Sequence, residues 1–265
     1  MTSAALLVLL AAGRASCAEL GVTEIVDRAN KALRGDSSRG RVSMTITNPS
    51  WERTLEIEGW NRDRRLALIV VHAPPKEKGD ATLRRGSEMW LWMPRAERVV
   101  KIPANMMHSS WQGSDFTYED IVKADSIVKD YSHRLVAKTR EALPAKETER
   151  LGLGAGGRVL YIIEGTPKPA APVVWGKVLF TAAVYGGGEV VPVREEDYNE
   201  RGELIRTITL SEVSRSQGRL VPLRLECRPS RKPGQSTVLR YKELEFDLEL
   251  KDSFFSLKEL QRKRL

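Results

Sequence analysis

Cysteine and histidine are scarce in this chain of 265 residues, which has two cysteines and three histidines. His72, His108 and His133 are far apart and share no spacing typical of metal ligands or of a catalytic pair. The sequence also lacks the nucleophile motif G-x-S-x-G, a phosphate-binding Walker loop and the zinc-protease motif H-E-x-x-H. We therefore expect no catalytic centre, no metal site and no cofactor.

Long apolar runs are also missing, because no stretch reaches the roughly 20 residues that a membrane-spanning helix needs. The longest run, "SAALLVLLAAG", lies near the N-terminus and is followed by "ASCAE". Ser16 and Ala18 are small residues placed as a secretory signal requires for a cut after Ala18. This pattern predicts a signal peptide at residues 1–18 and a single exported, soluble domain at 19–265. The alternative is a lipoprotein anchored through Cys17.

An excess of one charge is present but is not concentrated on one segment. Lys and Arg number 43 against 35 Asp and Glu, which gives a net charge of +8. The basic residues are mixed with acids, as in "NRDRR" and "REEDYNERGE", and this is typical of a solvated surface. We therefore expect no nucleic-acid partner. The hydrophobic content of 41% predicts a globular domain.

Most of the chain alternates apolar and polar residues with the period of a β-strand. In "RVSMTITN", for example, Val42, Met44 and Ile46 alternate with small polar residues. A helical pattern precedes the strands in "TEIVDRANKALRG", where Thr23 is placed to cap the helix start. Residues 104–130 interrupt the β pattern. We predict one antiparallel sheet of many strands, with a helix at its start and a helix-bearing insert in the middle.

The stretch "MWLWMP" at residues 89–94 does not alternate, because both of its strand faces are apolar. Trp90 and Trp92 would point to one side, and Met89, Leu91 and Met93 to the other. One side could pack in the core while the other lines a cavity, although packing of both in the core is the simpler alternative. The pattern leaves the two faces open. We favour the tryptophans as the cavity face because flat indole rings can pave a groove.

A family resemblance begins at "WLWMPRAERVVKI" and "GSDFTYEDI". Further motifs follow the same order along about residues 23–262: "PPKEKGDATL", "EGTPKP", "VWGKV", "VPVREEDYNERGEL", "STVLRYKELEF" and "DSFFSLKELQ". With these motifs the chain resembles the outer membrane lipoprotein-sorting proteins of the LolA-like superfamily. The match is to a branch often encoded beside large export permeases.

The resemblance implies a mainly β fold with few helices: an unclosed, strongly curved antiparallel half-barrel with a helical lid. It implies a monomeric periplasmic carrier that binds lipid or the acyl chains of lipoproteins and moves them toward the outer membrane. An inner-membrane permease of the RND type would be its partner. Two alternatives remain open. One is a lipid-sensing adaptor or envelope-stress sensor that does not transport, and the other is a hydrolase that uses the carboxylates of "SDFTYED".

Two groups of residues are the candidate sites. The aromatic and methionine residues of the first half of the chain are predicted to bind lipid: Trp60, Trp90, Trp92, Met44, Met106, Met107, Trp111 and Phe116. The carboxylates of the acidic motif are predicted to dock a partner: Asp115, Glu119 and Asp120. The simpler interpretation of the acidic motif is local. Thr117 and Asp120 have the spacing of a capping box and could begin a helix.

Overall fold

The computed structural model describes residues 20–122, 125–153 and 157–262. The predicted signal peptide, its cut site and Cys17 lie outside these residues. Within them, strands dominate and the helices are short, as the alternating sequence predicted. No helix in this part of the chain has both the length and the apolar character required to span a bilayer.

The described residues form thirteen strands in one antiparallel sheet. The strands are β1 (Ser37–Asn48), β2 (Trp51–Arg62), β3 (Leu66–Ala73), β4 (Ala81–Arg85), β5 (Glu88–Met93), β6 (Arg98–Lys101), β7 (Tyr131–Glu141), β8 (Arg158–Pro167), β9 (Lys177–Tyr185), β10 (Val190–Tyr198), β11 (Leu204–Ser216), β12 (Arg219–Pro229) and β13 (Ser236–Phe246). The helices are α1 (Val22–Ala32), α2 (Tyr118–Val122), α3 (Ser126–Lys129), α4 (Ala145–Arg150) and α5 (Leu257–Gln261).

The sheet consists of two meanders joined at a single pair of strands. Strands β1 to β6 follow one another, β7 to β13 do the same, and β1 pairs with β13 between the two halves. Strands β6 and β7 are the two edges, so the sheet is not closed into a barrel. Residues from β4 and from β9, on opposite sides of this junction, line one cavity, which requires strong curvature. The predicted half-barrel is confirmed.

Helix α1 and the segment between β6 and β7 lie on the concave side of the sheet. Ile25, Val26 and Ala29 form the buried face of α1 and pack into a cluster with residues of β7 to β10. The helix begins after Gly21, and no side chain caps it. The predicted cap, Thr23, is the second residue of the helix, and its hydroxyl is 3.2 Å from a ring nitrogen of His133. Helices α2 and α3 fall in the predicted insert and complete the lid.

The convex face of β2 to β5 is covered by the C-terminal segment. The pairing register places Trp60, Leu68, Leu83 and Trp90 in one row across four strands. This row packs against Phe254, Phe255 and Leu260, and the rings of Trp60 and Phe254 meet edge to face at 5.5 Å. Aromatic residues here therefore close a core between the sheet and the C-terminal segment.

The other face of β5 points to the concave side and is covered as well. Leu91 pairs with Thr82 and Thr82 with Ile69, whose side chain borders the cavity. Met89 is fully buried, and Leu91 packs against the insert through Tyr118 and Ile121. Both faces of "MWLWMP" are apolar because both are covered by protein. The preference for the tryptophans as the cavity face is therefore wrong.

Candidate binding cavity

A cavity of about 380 Å³ lies between the concave face of the sheet, α1 and the insert. Its size falls within the range of about 300–1,000 Å³ that is typical of small-molecule sites. Apolar side chains from both meanders form most of the wall: Val42, Ile57, Ile69, Trp111, Phe116, Ile121, Val178, Phe180, Ile208, Leu210, Leu225, Leu239 and Leu244. Such a surface favours an apolar guest.

Two glycines give the cavity its depth at the junction of the two meanders. Gly40 of β1 pairs directly with Gly59 of β2, and both border the cavity. A side chain on Gly59 would project toward Ile69, with its Cβ 3.7 Å from Cγ1 of that residue. The ring of Tyr241 covers Gly40 at closer range. The space over Gly59 is therefore maintained by the missing side chain.

A buried network centred on Arg206 borders the cavity through Asp120 and Trp175. The guanidinium donates hydrogen bonds of 2.7 and 2.6 Å to Asp120 and one of 2.6 Å to Asp197. Its central carbon lies 4.8 Å from the centre of the Trp175 ring, in the geometry of a cation–π contact. The network joins the insert, the loop before β9 and the strands β10 and β11. It orients Trp175 on the cavity wall.

Two carboxyl groups of this network have raised pKa values. Burial raises the pKa of Glu195 to about 8, and the charge of Asp197 acts in the same direction. Burial also raises the pKa of Asp197 to about 6, against the opposing effect of Arg206. The Oδ1 atom of Asp197 is buried and lacks a hydrogen-bond donor when Glu195 is ionised. A proton on Glu195 supplies this missing donor, because it allows Glu195 to hydrogen bond to Asp197.

Three arginines also line the cavity. Arg34 follows α1, Arg64 lies in the turn between β2 and β3, and Arg84 lies near the end of β4. Arg64 donates to Asp27 at 2.8 Å, and Arg84 donates to the carbonyl oxygen of Ile121 at 3.1 Å. Positive charge is thereby held at the cavity wall. The uncharged polar residues Ser38 and Asn61 also line the cavity.

The structure brings three of the eight predicted lipid-binding residues to the cavity. Trp111 and Phe116 line it, and Trp111 is anchored by a hydrogen bond from its indole nitrogen to Thr82 at 3.2 Å. Trp60 also borders the cavity, but its ring packs against Phe254 on the convex face.

The other five residues lie outside the lining. Trp90 and Trp92 pack under the C-terminal segment. Met44 is buried in a cluster with Leu55 and other residues, Met107 packs near Met89, and Met106 is exposed. Met44 lies on the cavity-facing side of β1, like Val42, but it is fully buried in a cluster with Trp111 and does not reach the lining. Residue type alone selected Met106 and Met107, which lie in the insert outside the lining.

The acidic motif folds inward. Asp115 accepts hydrogen bonds from Thr237 at 2.7 Å and from Gln235 at 2.6 Å, whereas Asp120 binds Arg206. The remaining carboxylate, Glu119, is largely buried and lies 2.8 Å from the ring nitrogen of an exposed histidine. Docking of a partner by these carboxylates stays a prediction. Their internal contacts leave fewer carboxylate oxygens available to bind a partner.

The predicted capping box is present at the start of α2. The amide of Thr117 donates to the Asp120 carboxylate at 2.7 Å, and the amide of Asp120 donates to the Thr117 hydroxyl at 3.3 Å. Asp120 therefore has two roles, because the same carboxylate also binds Arg206. The second role depends on a residue 86 positions away, which sequence spacing does not show.

Sequence reasoning missed several charged residues at or beside the cavity. Arg64 belongs to "NRDRR", and Glu195 and Asp197 belong to "REEDYNERGE", both of which were interpreted as mixed surface. Trp175 lies within the family motif "VWGKV", which gave no signal of a cavity position. Alternation along β10 does place Glu195 and Asp197 on one face, and this is the signal that could have related them.

The described residues contain no group of three His, Cys, Asp or Glu side chains arranged to hold a metal ion. Cys227 is fully buried on β12, and burial raises the pKa of its thiol. A thiol held in the neutral form is a poor nucleophile. The cavity combines a mostly apolar wall with a few charged side chains, which suits an amphiphilic ligand.

An open antiparallel half-barrel with helices over a central apolar cavity is the fold of the LolA superfamily. A LolA superfamily protein from Nitrosomonas europaea aligns over 91% of this chain and 100% of its own, at 19% identity and a TM-score of 0.70. A domain named for outer membrane lipoprotein sorting, from Vibrio parahaemolyticus, aligns over 91% and 98% at 18% identity and a TM-score of 0.71. These similarities establish the fold.

A DUF1329 family protein from Desulfovibrio piger has the same fold, at 21% identity and a TM-score of 0.73 over 90% of this chain and 97% of its own. The model of one protein family, described as "Uncharacterized protein"-like, matches residues 63–262. The chain belongs to this family. No curated protein matches the sequence. The resemblance to LolA-like proteins that the sequence motifs indicated is confirmed.

Proposed function

We propose that this protein is a periplasmic carrier that binds lipid, or the acyl chains of lipoproteins, in the cavity and moves them toward the outer membrane. The observation that carries the proposal is the apolar cavity between the half-barrel, α1 and the insert. The names of the structurally similar proteins from Vibrio parahaemolyticus and Nitrosomonas europaea support it by analogy. The inner-membrane partner that we propose is an export permease of the RND type.

Binding of an acyl chain requires no bond-making residues from the protein. Each methylene group transferred from water into an apolar cavity contributes about 0.8 kcal/mol, so an acyl chain is held by shape and burial. Release requires only that the lid opens or that a receiving surface offers an equal environment. We therefore propose a binding protein rather than an enzyme, acting as a monomer without a cofactor.

The test fills the cavity without disturbing the core. In Gly59→Leu, the new side chain enters the space over the Gly40–Gly59 pair, where the nearest atoms leave room for a Cβ. Gly186→Leu is the matched control, because Gly186 is exposed in the turn after β9 and has no neighbour within 4 Å of an added Cβ. Both proteins are purified from the periplasm and weighed by native mass spectrometry.

Wild type and Gly186→Leu should retain co-purified lipid, and Gly59→Leu should retain several-fold less at an unchanged melting temperature. Equal lipid in all three proteins, or none in wild type, would contradict the proposed cavity. Transfer is measured separately, by mixing the loaded protein with acceptor vesicles. A protein that holds lipid but never releases it to vesicles would support the alternative, a lipid-sensing adaptor.

A further inference from the structure

A row of cross-strand neighbours crosses the cavity-facing side of the sheet from β13 to β3. Leu244 of β13 pairs with Gly40 of β1, and Gly40 pairs in turn with Gly59 of β2. Gly59 also pairs with Ile69 of β3. All four residues line the cavity. The two outer positions carry branched apolar side chains and the two middle positions carry none, so the row leaves a gap at its centre.

Only one of the two glycines is open to the cavity. An added Cβ on Gly40 would lie 3.2 Å from the ring of Tyr241, and Gly40 is buried. For Gly59 the nearest atoms would be Cγ1 of Ile69 at 3.7 Å and the backbone oxygen of Leu68 at 4.0 Å. Gly59 also stays partly exposed in the middle of its strand. The recess in the cavity wall therefore lies over Gly59.

Neither backbone conformation nor packing requires glycine at position 59. Its φ lies outside the left-handed region that favours glycine, and an added Cβ would make only ordinary van der Waals contacts. Glycine in the interior of a strand is less stable than a residue with a side chain, and it often marks a place where a ligand approaches the backbone. What Gly59 supplies at this position is empty space on the cavity side.

The recess over Gly59 is narrow and has apolar neighbours. Ile57 lies two residues earlier on the same face of β2, and Ile69 lies directly across on β3. A space as wide as one side chain holds only a few carbons. An acyl chain that fits within the rest of the cavity does not need it, whereas a longer chain does. The recess is therefore suited to the last carbons of the longest chain.

We propose that Gly59 determines the length of the longest acyl chain that the cavity accepts. The inference rests on the proposed function and narrows its cargo by chain length. One methylene group more or less in an apolar pocket changes binding by about tenfold or more, because the extra group either finds a space or meets a wall. A single added methyl group at this position should therefore be enough to change the preferred chain.

The experiment varies only the acyl chain and keeps the head group constant. Purified, delipidated protein is mixed with an equimolar series of lysophosphatidylcholines, from decanoyl to octadecanoyl in steps of two carbons. Native mass spectrometry then resolves each complex by its mass, so the relative amounts give the length profile directly. Wild type should prefer one chain length and bind longer chains less.

Two substitutions change the recess in opposite directions. Gly59→Ala adds one methyl group to it, so the maximum should move to a shorter chain. The chain that wild type prefers should lose about tenfold relative to shorter ones. Ile69→Val removes the methyl group carried by Cγ1 and should move the profile toward longer chains. The double variant should lie nearer to wild type than Gly59→Ala does.

Gly186→Ala is the matched control, because it adds the same methyl group at an exposed glycine with no atom within 4 Å of the new Cβ. Its length profile should equal that of wild type. The melting temperature of Gly59→Ala should not fall, since alanine suits an extended strand better than glycine does.

An unchanged length profile in Gly59→Ala, or an equal loss for every chain length, would overturn the role of Gly59 and leave the carrier intact. If Gly59→Ala fails to fold, Ile69→Val decides, and an unchanged profile in that variant would overturn the role as well. Failure of wild type to bind any chain in the series would instead remove the proposed function.

Discussion

Asp120 accepts two hydrogen bonds from the guanidinium of Arg206, at 2.7 and 2.6 Å, and this pair fastens the insert to strand β11. Both side chains are largely buried, and Arg206 keeps the pKa of Asp120 below its ordinary value of 3.8 although burial opposes this. The pair therefore stabilises the fold above pH 3.8, and its contribution is lost as the pH falls below that value.

Asp120→Asn should destabilise the protein by about 2–4 kcal/mol, because Arg206 would keep its buried charge after losing one carboxylate. This is more than the roughly 1 kcal/mol expected for loss of a helix cap alone. Glu24→Gln removes an exposed pair with Arg28 on α1 and should cost at most about 0.5 kcal/mol. Urea denaturation at neutral pH measures both. A loss of 1 kcal/mol or less for Asp120→Asn would show that the capping role alone matters.

The two faces of the sheet should respond differently to substitution. Phe255 is fully buried against the tryptophan row on the convex face. Phe255→Ala should therefore lower the free energy of unfolding by about 3–5 kcal/mol. Lipid binding by the fraction that remains folded should be unchanged, since the cavity lies across the sheet. Loss of lipid binding by folded Phe255→Ala would place the groove on the convex side after all.

Glu195 should make the protein less stable as the pH rises from about 4.5 to about 8. The folded state keeps a proton on Glu195 up to its raised pKa of about 8, whereas the unfolded state releases it near the ordinary value of 4.5. Because the folded state then binds one more proton than the unfolded state, the free energy of unfolding falls as the pH rises through this range. Asp197, with a pKa of about 6, acts in the same direction over a narrower range.

Glu195→Gln removes this titration and keeps a donor for Asp197. The variant should match wild type near pH 4.5 and exceed its stability near pH 8, by an amount on the order of a few kcal/mol. Thermal denaturation across this pH range provides the measurement. If the two proteins show the same pH dependence, Glu195 is ionised in the folded state, and its proposed hydrogen bond to Asp197 is ruled out.

The fluorescence of Trp175 should change when an acyl chain enters the cavity. Its ring borders the cavity and is partly exposed, so a lipid that displaces water should shift its emission to the blue. Trp175→Phe should remove most of the shift, and Trp51→Phe, at the exposed start of β2, should retain it. A shift that survives in Trp175→Phe but disappears in Trp90→Phe would restore the original assignment of the tryptophan face.

Local patterns in the sequence determined the elements of this fold. Alternation predicted the strands, helical spacing predicted α1, and the break in alternation over residues 104–130 predicted the insert that bears α2 and α3. The capping box of Thr117 and Asp120 formed as its spacing required. These features depend on residues within a few positions of one another, and for that reason one sequence suffices to find them.

Tertiary structure decided which side of each strand is inside and which charges meet. Alternation assigns Trp90 and Leu91 to opposite faces, but the identity of the cavity face depended on where the C-terminal segment packs. Likewise Arg34, Arg64 and Arg84 are brought together by the curvature of the sheet and by the position of α1. Their convergence is a property of long-range pairing, which residue spacing along the chain does not encode.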